Sequence, residues 1–279
     1  MSENKFGKTS KVELVLSEKE GKTMLSQVDF TAPFKVMKPF YDAENHFSLM
    51  IMNSSAGIME GDRQDFSITV ESGAEGKIFS QSYEKVHKMG EGYGQRTCQL
   101  NVLSGGNLHY SPLPTIPYAD SSFQGKTKIY LEDDSAKLIF SDIFACGRVA
   151  MGESFQYDRY DSEISVFLGD TQLFSDRAKY RPKEQDLSGF CYQEGYSHQS
   201  ILLLFHHAIP SKKLRNIQQY LESLENAEGA YSKTFSGDFV FRFLGNSGDA
   251  LEKVQDHVLS IVRDSLNNSA SQIRMENHS

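Results

Sequence analysis

Three stretches of this chain set carboxylates, an imidazole or an arginine among glycines, and each pattern suggests its own chemistry. SSAGIMEGD, residues 54–62, punctuates a turn between two strands with Gly57 and Gly61 and ends on Asp62. A carboxylate there can accept backbone N–H bonds or face a polar cavity. SQSYEKVHKMGEGYG, residues 80–94, carries Glu84 and His87 in an alternating run. On an extended strand Ser80, Ser82, Glu84 and Val86 share one face, and Gln81, Tyr83, Lys85 and His87 the other. Without a bulge, Glu84 and His87 therefore do not converge on one metal ion. FSDIFACGRVAMGESF, residues 140–155, spreads Asp142, Arg148 and Glu153 through an apolar run broken by Gly147 and Gly152. Charges are costly to bury unpaired, so this arginine between two acids implies an internal salt bridge or a polar channel. The glycines mark bends or a close backbone approach. Each stretch also fits ordinary architecture: an Asx-capped turn, a half-buried strand with solvated charges, and a surface strand with its loop.

Most catalytic signatures are missing. GKT occurs at residues 7–9 and 125–127, but the first glycine of a phosphate-binding loop would fall on Ser2 and Asp120. MGEGYG follows a strand without opening a helix, which excludes a dinucleotide site and predicts a flexible loop. There is no GxSxG elbow and no HExxH helix. His206 and His207 are adjacent and so face opposite sides of their strand.

The elements that must position these residues are mostly strands. KVELVL, HFSLMIMN, DFSITV, KIFSQS, TCQLNVL, KTKIYL, AKLIFSDIF, SILLLFHH and DFVFRFLG carry period-two alternation or a β-rich apolar composition. The turn-rich links ESGAEG, LSGGN and LEDDS predict that consecutive strands pair with one another. Two amphipathic helices near the C-terminus break the rhythm. The first places Leu214, Ile217, Leu221 and Leu224 on one stripe, with Ser211 as N-cap and Gly229 beyond its end. The second places Leu251, Val254, Val258, Ile261 and Val262 inward after a Ser247 cap. Residues 267–279 have too little apolar surface to order alone, and a disordered tail is expected there. There is no convincing internal repeat and no linker, so residues 1–279 are expected to form a single domain.

Composition sets outer limits. The net charge of −8 argues against a nucleic-acid partner. Charges occupy the N-terminal positions where a signal peptide needs apolar residues, and no stretch approaches a membrane span, so a cytoplasmic protein with no membrane partner is expected. Cys98, Cys146 and Cys191 are widely spaced and are expected to be free, buried thiols.

SSAGIMEGD, SQSYEKVH, LHYSPLPTIPYADSSFQG and ACGRVAMGESF, in that order and at these separations, resemble the urease accessory protein family UreD, called UreH in Helicobacter. The chain departs from the family pattern at Ala56, where many relatives carry glycine, and at His87, where many carry tyrosine. Ser141 and Asp142 stand in place of an aromatic-glutamate pair. The resemblance implies a mainly β fold of stacked mixed and antiparallel sheets with right-handed, helix-like winding, plus the pair of helices. It also implies a non-enzymatic nickel-insertion chaperone that binds apo-urease and UreF, through which the GTPase UreG joins. No cofactor would be stably bound, and Ni²⁺ would pass transiently through a polar interior. Asp62, Glu84, His87, Asp142 and Glu153 are the ligands expected along such a path, since an ion in transit needs weak sites in series. Gly57, Gly61, Gly147, Arg148 and Gly152 are the structural members of the motifs. Two alternatives remain at this point: a β-rich glycan-active enzyme using Asp142 and Glu153 as its carboxylate pair, and a small-ligand-binding β protein with an apolar cavity.

Overall fold

The computed structural model describes residue 7 and residues 9–276, with side chains described as far as Arg263. Alternation dictates its layers. In Thr9–Lys19 the buried positions Val12, Leu14 and Leu16 fall on one face. That strand joins a seven-stranded sheet ordered Thr171–Tyr180, Arg159–Leu168, Ser122–Leu131, Gly94–Val102, Arg63–Val70, Thr9–Lys19, Lys22–Phe30. The second sheet runs Ala227–Lys233, Phe239–Gly245, His198–Phe205, Lys137–Ala145, Asn107–Ser111, Glu75–Ser80, Phe47–Asn53, Phe34–Val36. The short strands Phe40–Tyr41, Glu84–Val86 and Thr115–Pro117 lie beside that path. In both sheets the central strands pair parallel and the outer ones antiparallel.

Consecutive strands through the middle of the chain lie in opposite sheets, which corrects the expectation that sequential strands pair. Tight turns do join them: Ala74 N–H bonds Glu71 O (3.0 Å), Gly106 N–H bonds Leu103 O (2.8 Å) and Ala136 N–H bonds Asp133 O (3.1 Å). Each turn carries the chain from one layer to the other, so a strand's neighbour is one full winding away. The turns also stack, with Asn107 N–H on Ala74 O and Lys137 N–H on Gly106 O. Turn composition reports a reversal and is silent about which layer receives the next strand.

The windings repeat in register while the sequence does not. Leu14, Ile68, Leu100, Ile129 and Val166 are successive neighbours across the first sheet. Leu49, Ile78, Tyr110, Phe140, Leu203 and Val240 do the same across the second. All are buried in one core between the sheets. At about 1.5–3 kcal/mol for each large apolar side chain, these ladders dominate the stability of the stack.

A second core covers the outer face of the second sheet. There α1 (Ser211–Glu222) and α2 (Gly248–Glu276) bring Ile217, Leu221, Leu251, Val254 and Val258 onto Leu202, Leu204 and Phe241. The strand His198–Phe205 is thus covered on both faces, which accounts for its unbroken SILLLF. Ser247 caps α2 as expected, its Oγ accepting the Ala250 N–H at 3.1 Å. Ser211 is not a cap: Pro210 occupies the N-cap position of α1. Gly229, expected beyond a helix end, lies within the strand Ala227–Lys233, where a Cβ would stand 2.6 Å from the Phe243 ring. The helical backbone of α2 continues to Glu276, past the point where the tail was expected to begin, and residues 277–279 lie outside the described residues. Cys98 and Cys146 are buried, whereas Cys191 is exposed, contrary to expectation. No helix among the described residues is long and apolar enough to cross a membrane.

His207, two residues past the strand His198–Phe205, is 5% exposed, and among the described residues neither ring nitrogen has a hydrogen-bond partner in good geometry. Burial, with the nearby charges of Lys137 and His206, pulls its pKa down to about 3. An unfolded histidine protonates near pH 6.5, so between those values the unfolded chain binds more protons. Stability present above about pH 6.5 is therefore lost as pH falls toward about 3. Urea midpoints are expected to drop between about pH 7 and about pH 5, and His207→Phe is expected to reduce that drop. An identical drop in the variant would exclude His207 as its source.

Candidate functional site

Polar residues on the inward faces of the two sheets concentrate around one level. In the first sheet Gln64, Arg96, Gly125 and Ser162 are successive neighbours. In the second, Asp142, Ile201 and Arg242 are. Arg96 stands two residues before buried Cys98, and Asp142 two residues after buried Phe140, so strand periodicity turns both inward. Gly125 is the strand neighbour of Arg96, and a Cβ there would meet the Phe123 ring at 3.1 Å. The result is a polar layer with the main core on one side. A smaller apolar cluster that includes Val86, Phe123, Phe144 and Tyr160 lies on the other.

Arg96 is the centre of that layer. Its Nε and Nη2 donate to Gln64 Oε1 at 2.9 and 2.7 Å, and Nη2 also pairs with Glu84 Oε2. Asn53 Nδ2 donates to the other oxygen of Glu84 at 3.3 Å. The side chains of Arg96 and Glu84 are only 18% and 11% exposed. Burial works to lower the Arg96 pKa, but attraction from Glu84 and its other neighbours outweighs it and the net direction is upward. Burial pushes the Asp142 carboxyl up, with Arg96 pulling the other way. The same burial drives the Cys98 thiol up to about 12, again opposed by Arg96, so this cysteine is inert as a thiolate.

Two cavities adjoin the layer. The smaller, about 30 Å³, is lined by Asn53, Ser80, Ser82, Glu84, Arg96 and Tyr110 among others. The larger, about 800 Å³, includes Asp142, Tyr160, Ser162, Asp176, Tyr180 and Arg242 in its wall. Asp176 and Arg242 belong to opposite sheets and pair across this cavity at 2.6 Å.

The glycine-containing motifs meet elsewhere, at one end of the stack. Ile58 bridges to Val86, and Glu84–Val86 pairs with Thr115–Pro117. Gly57, at φ 140°, lies where a Cβ would stand 2.3 Å from Lys85 O. Gly147, at φ 144°, would bring a Cβ within 2.2 Å of Glu153 O. Asp62 accepts the Met59 N–H at 2.8 Å, closing the turn that Gly61 enters. His87 Nε2 donates to Ala56 O at 2.9 Å, and its ring meets Tyr118 edge-on with centroids 4.9 Å apart. The Arg148 guanidinium covers the other ring in this group, 4.0 Å from the Tyr118 centroid. Arg148 Nε also donates to Glu153 Oε2 at 2.8 Å. Glu153 in turn receives the Ala119 N–H at 3.3 Å, and its hydrogen bond from Arg148 holds its pKa below the usual carboxylate value. Gly152, left-handed at φ 76°, ends the short turn Val149–Met151.

Of the five residues expected along a path, the structure brings only Glu84 and Asp142 to the polar layer. Asp62, His87 and Glu153 line neither of these cavities, because each is committed to a turn or to the end wall. Arg148 and Glu153 form the ion pair that an arginine among acids implied, and among the described residues no salt bridge joins Asp142 to Arg148. Asp142 lines the large cavity and Glu153 lines neither, so the two carboxylates do not share either cavity as a glycosidase-type pair would share a cleft. The MGEGYG loop is held rather than free, since the Glu60 carboxylate accepts the Gly90 and Gly92 N–H groups at 2.8 and 2.9 Å. Sequence reasoning missed Arg96, Gln64, Asp176 and Arg242. A signal existed for Arg96, a charge on the inward parity of Cys98 and Leu100. Among the described residues, no group of three or more His, Cys, Asp or Glu side chains could hold a metal ion.

Fold and site together define a two-layer wound β stack, helix-backed on one face and crossed inside by a charged layer. A family model described as UreD urease accessory protein matches residues 8–277. A urease accessory protein UreD of Acetivibrio thermocellus is 38% identical over 260 residues, covering 93% of this chain and 99% of the relative. A urease accessory protein UreH of Helicobacter pylori is 30% identical over 243 residues, covering 87% and 90%. A UreD of Actinobacillus pleuropneumoniae is 29% identical over 262 residues, covering 90% and 96%. The chain belongs to the UreD family of urease accessory proteins, which places it in urease maturation.

The contact at Gly147 makes a prediction. Gly147→Ala forces a Cβ against backbone, in a region of φ that favours glycine, and is expected to lower the unfolding free energy by about 2 kcal/mol. Chemical denaturation checks it, and an unchanged midpoint would show that the Glu153 backbone yields without cost.

Proposed function

We propose that this protein is a non-enzymatic nickel-insertion scaffold of the cytoplasm. It binds apo-urease and UreF, through which the GTPase UreG joins the assembly, and Ni²⁺ crosses its interior on the way to the urease active site. The observation that carries this reading is the polar layer, with Glu84 at the small cavity and Asp142 at the large one. A cation in transit is best served by few, incomplete sets of oxygen ligands, because a full coordination sphere would retain it. Glu84 and Asp142 are such ligands, and the hydroxyls of Ser80, Ser82, Tyr160 and Ser162 continue the polar lining.

The isosteric variants Glu84→Gln and Asp142→Asn keep shape and remove charge. Each is expected to bind UreF normally and to slow urease activation severalfold, read as nickel incorporated per active site against time. Normal activation by both would refute passage through this layer. Glu153→Gln, away from both cavities, is expected to activate at the normal rate.

The UreF interface is assigned to the helical face and the C-terminal segment. Removing the residues after Leu266 is expected to weaken UreF binding by about tenfold or more while leaving the β stack folded. Unchanged affinity of the truncated chain, measured by titration calorimetry, would move the interface elsewhere.

A further inference from the structure

We infer that Arg96 is a displaceable internal plug, which holds the carboxylates of the polar layer while no metal is present and must give way when a cation passes. The inference rests on the passage reading above and adds a residue with an opposing role. Arg96 lines the small cavity, where its guanidinium pairs with Glu84, while Asp142 lines the large one. Among the described residues its side-chain hydrogen bonds go to two partners from opposite sheets, Gln64 and Glu84. A guanidinium and a divalent cation compete for the same carboxylate oxygens, and both cannot occupy Glu84 at once. With the plug in place the layer carries a cation of its own, so an empty interior has no unpaired carboxylate at Glu84. Gln64 offers a neutral parking point that needs no charge when Arg96 releases Glu84.

The plug predicts that removing the arginine uncovers a metal site. In the full chain, Arg96→Gln is expected to bind Ni²⁺ about tenfold or more tightly than the unaltered protein, by titration calorimetry with the metal alone. Adding Glu84→Gln in the same chain should return the affinity to its starting value. If Arg96→Gln does not fold, judged by circular dichroism, Arg96→Lys carries the test. Its ammonium keeps the charge but loses the planar fork, and binding should tighten severalfold. Unchanged affinity in whichever variant folds overturns the plug. Urease activation separates this from failure of the passage itself. Tighter binding with slowed activation supports both, and tighter binding with normal activation supports the plug while refuting passage. Unchanged binding, with activation still slowed by Glu84→Gln and Asp142→Asn, overturns the plug and leaves the passage standing.

Discussion

A guanidinium enclosed between two β layers is the constraint on which the rest of this structure depends. Burying an unpaired charge costs several kcal/mol, so Arg96 is tolerable only where acceptors are already fixed around it. Those acceptors come from distant parts of the chain. Gln64 lies one winding earlier in the first sheet, Glu84 sits on a short strand of the second, and Asn53 steadies Glu84 from another strand. None can shift by one residue without turning outward, because each strand's side chains alternate between faces. The apolar ladders on the main-core side make such a slip expensive, since a slip of Gly94–Val102 would carry Cys98 and Leu100 outward along with Arg96.

The end wall serves the same purpose from the other side. The strand Glu84–Val86 is three residues long and could not hold position through its own ladder. It is fixed by Thr115–Pro117 and by the Ile58 bridge, and Gly57 permits that bridge by letting backbone come within contact of Lys85. His87, Tyr118, Arg148 and Glu153 then close the corner through a ring contact, a cation–π contact and an ion pair. Residues that looked like candidate ligands are thus the frame that aims Glu84 inward. A motif can be rich in chemistry-bearing side chains because a corner needs satisfied polar groups, whether or not it handles a substrate.

Much of the fold was legible in the sequence, because periodicity is a local signal. The alternation of KVELVL or DFSITV and the apolar stripes of both helices needed no long-range information. The shared face of Ser80, Ser82 and Glu84 was legible for the same reason, and all three line one cavity. Which strand pairs with which was not legible, since register between windings lies in packing of unrelated residues such as Leu100 against Ile129. Arg96 was hidden similarly. GQRTCQL reads as an ordinary strand, and an arginine's cost or use depends on partners 12 and 32 residues away.

The unequal size of the two cavities gives the proposed path a direction of increasing difficulty. A cavity needs roughly 10–15 Å³ to hold one water, so the small space admits one or two waters and the large one many. A hydrated divalent ion can occupy the large cavity with its shell intact, beside Asp142 and the hydroxyls of Tyr160 and Ser162. At the small cavity it must lose water, and the groups that replace those waters are Glu84, Asn53 and the serines at 80 and 82. The dehydration step and the arginine therefore coincide in space. Replacing water by one carboxylate offsets part of the hydration lost, and only after Arg96 has released that carboxylate. Selectivity among cations belongs at the narrow side for this reason, where the energy of shedding water differs most from one metal ion to another.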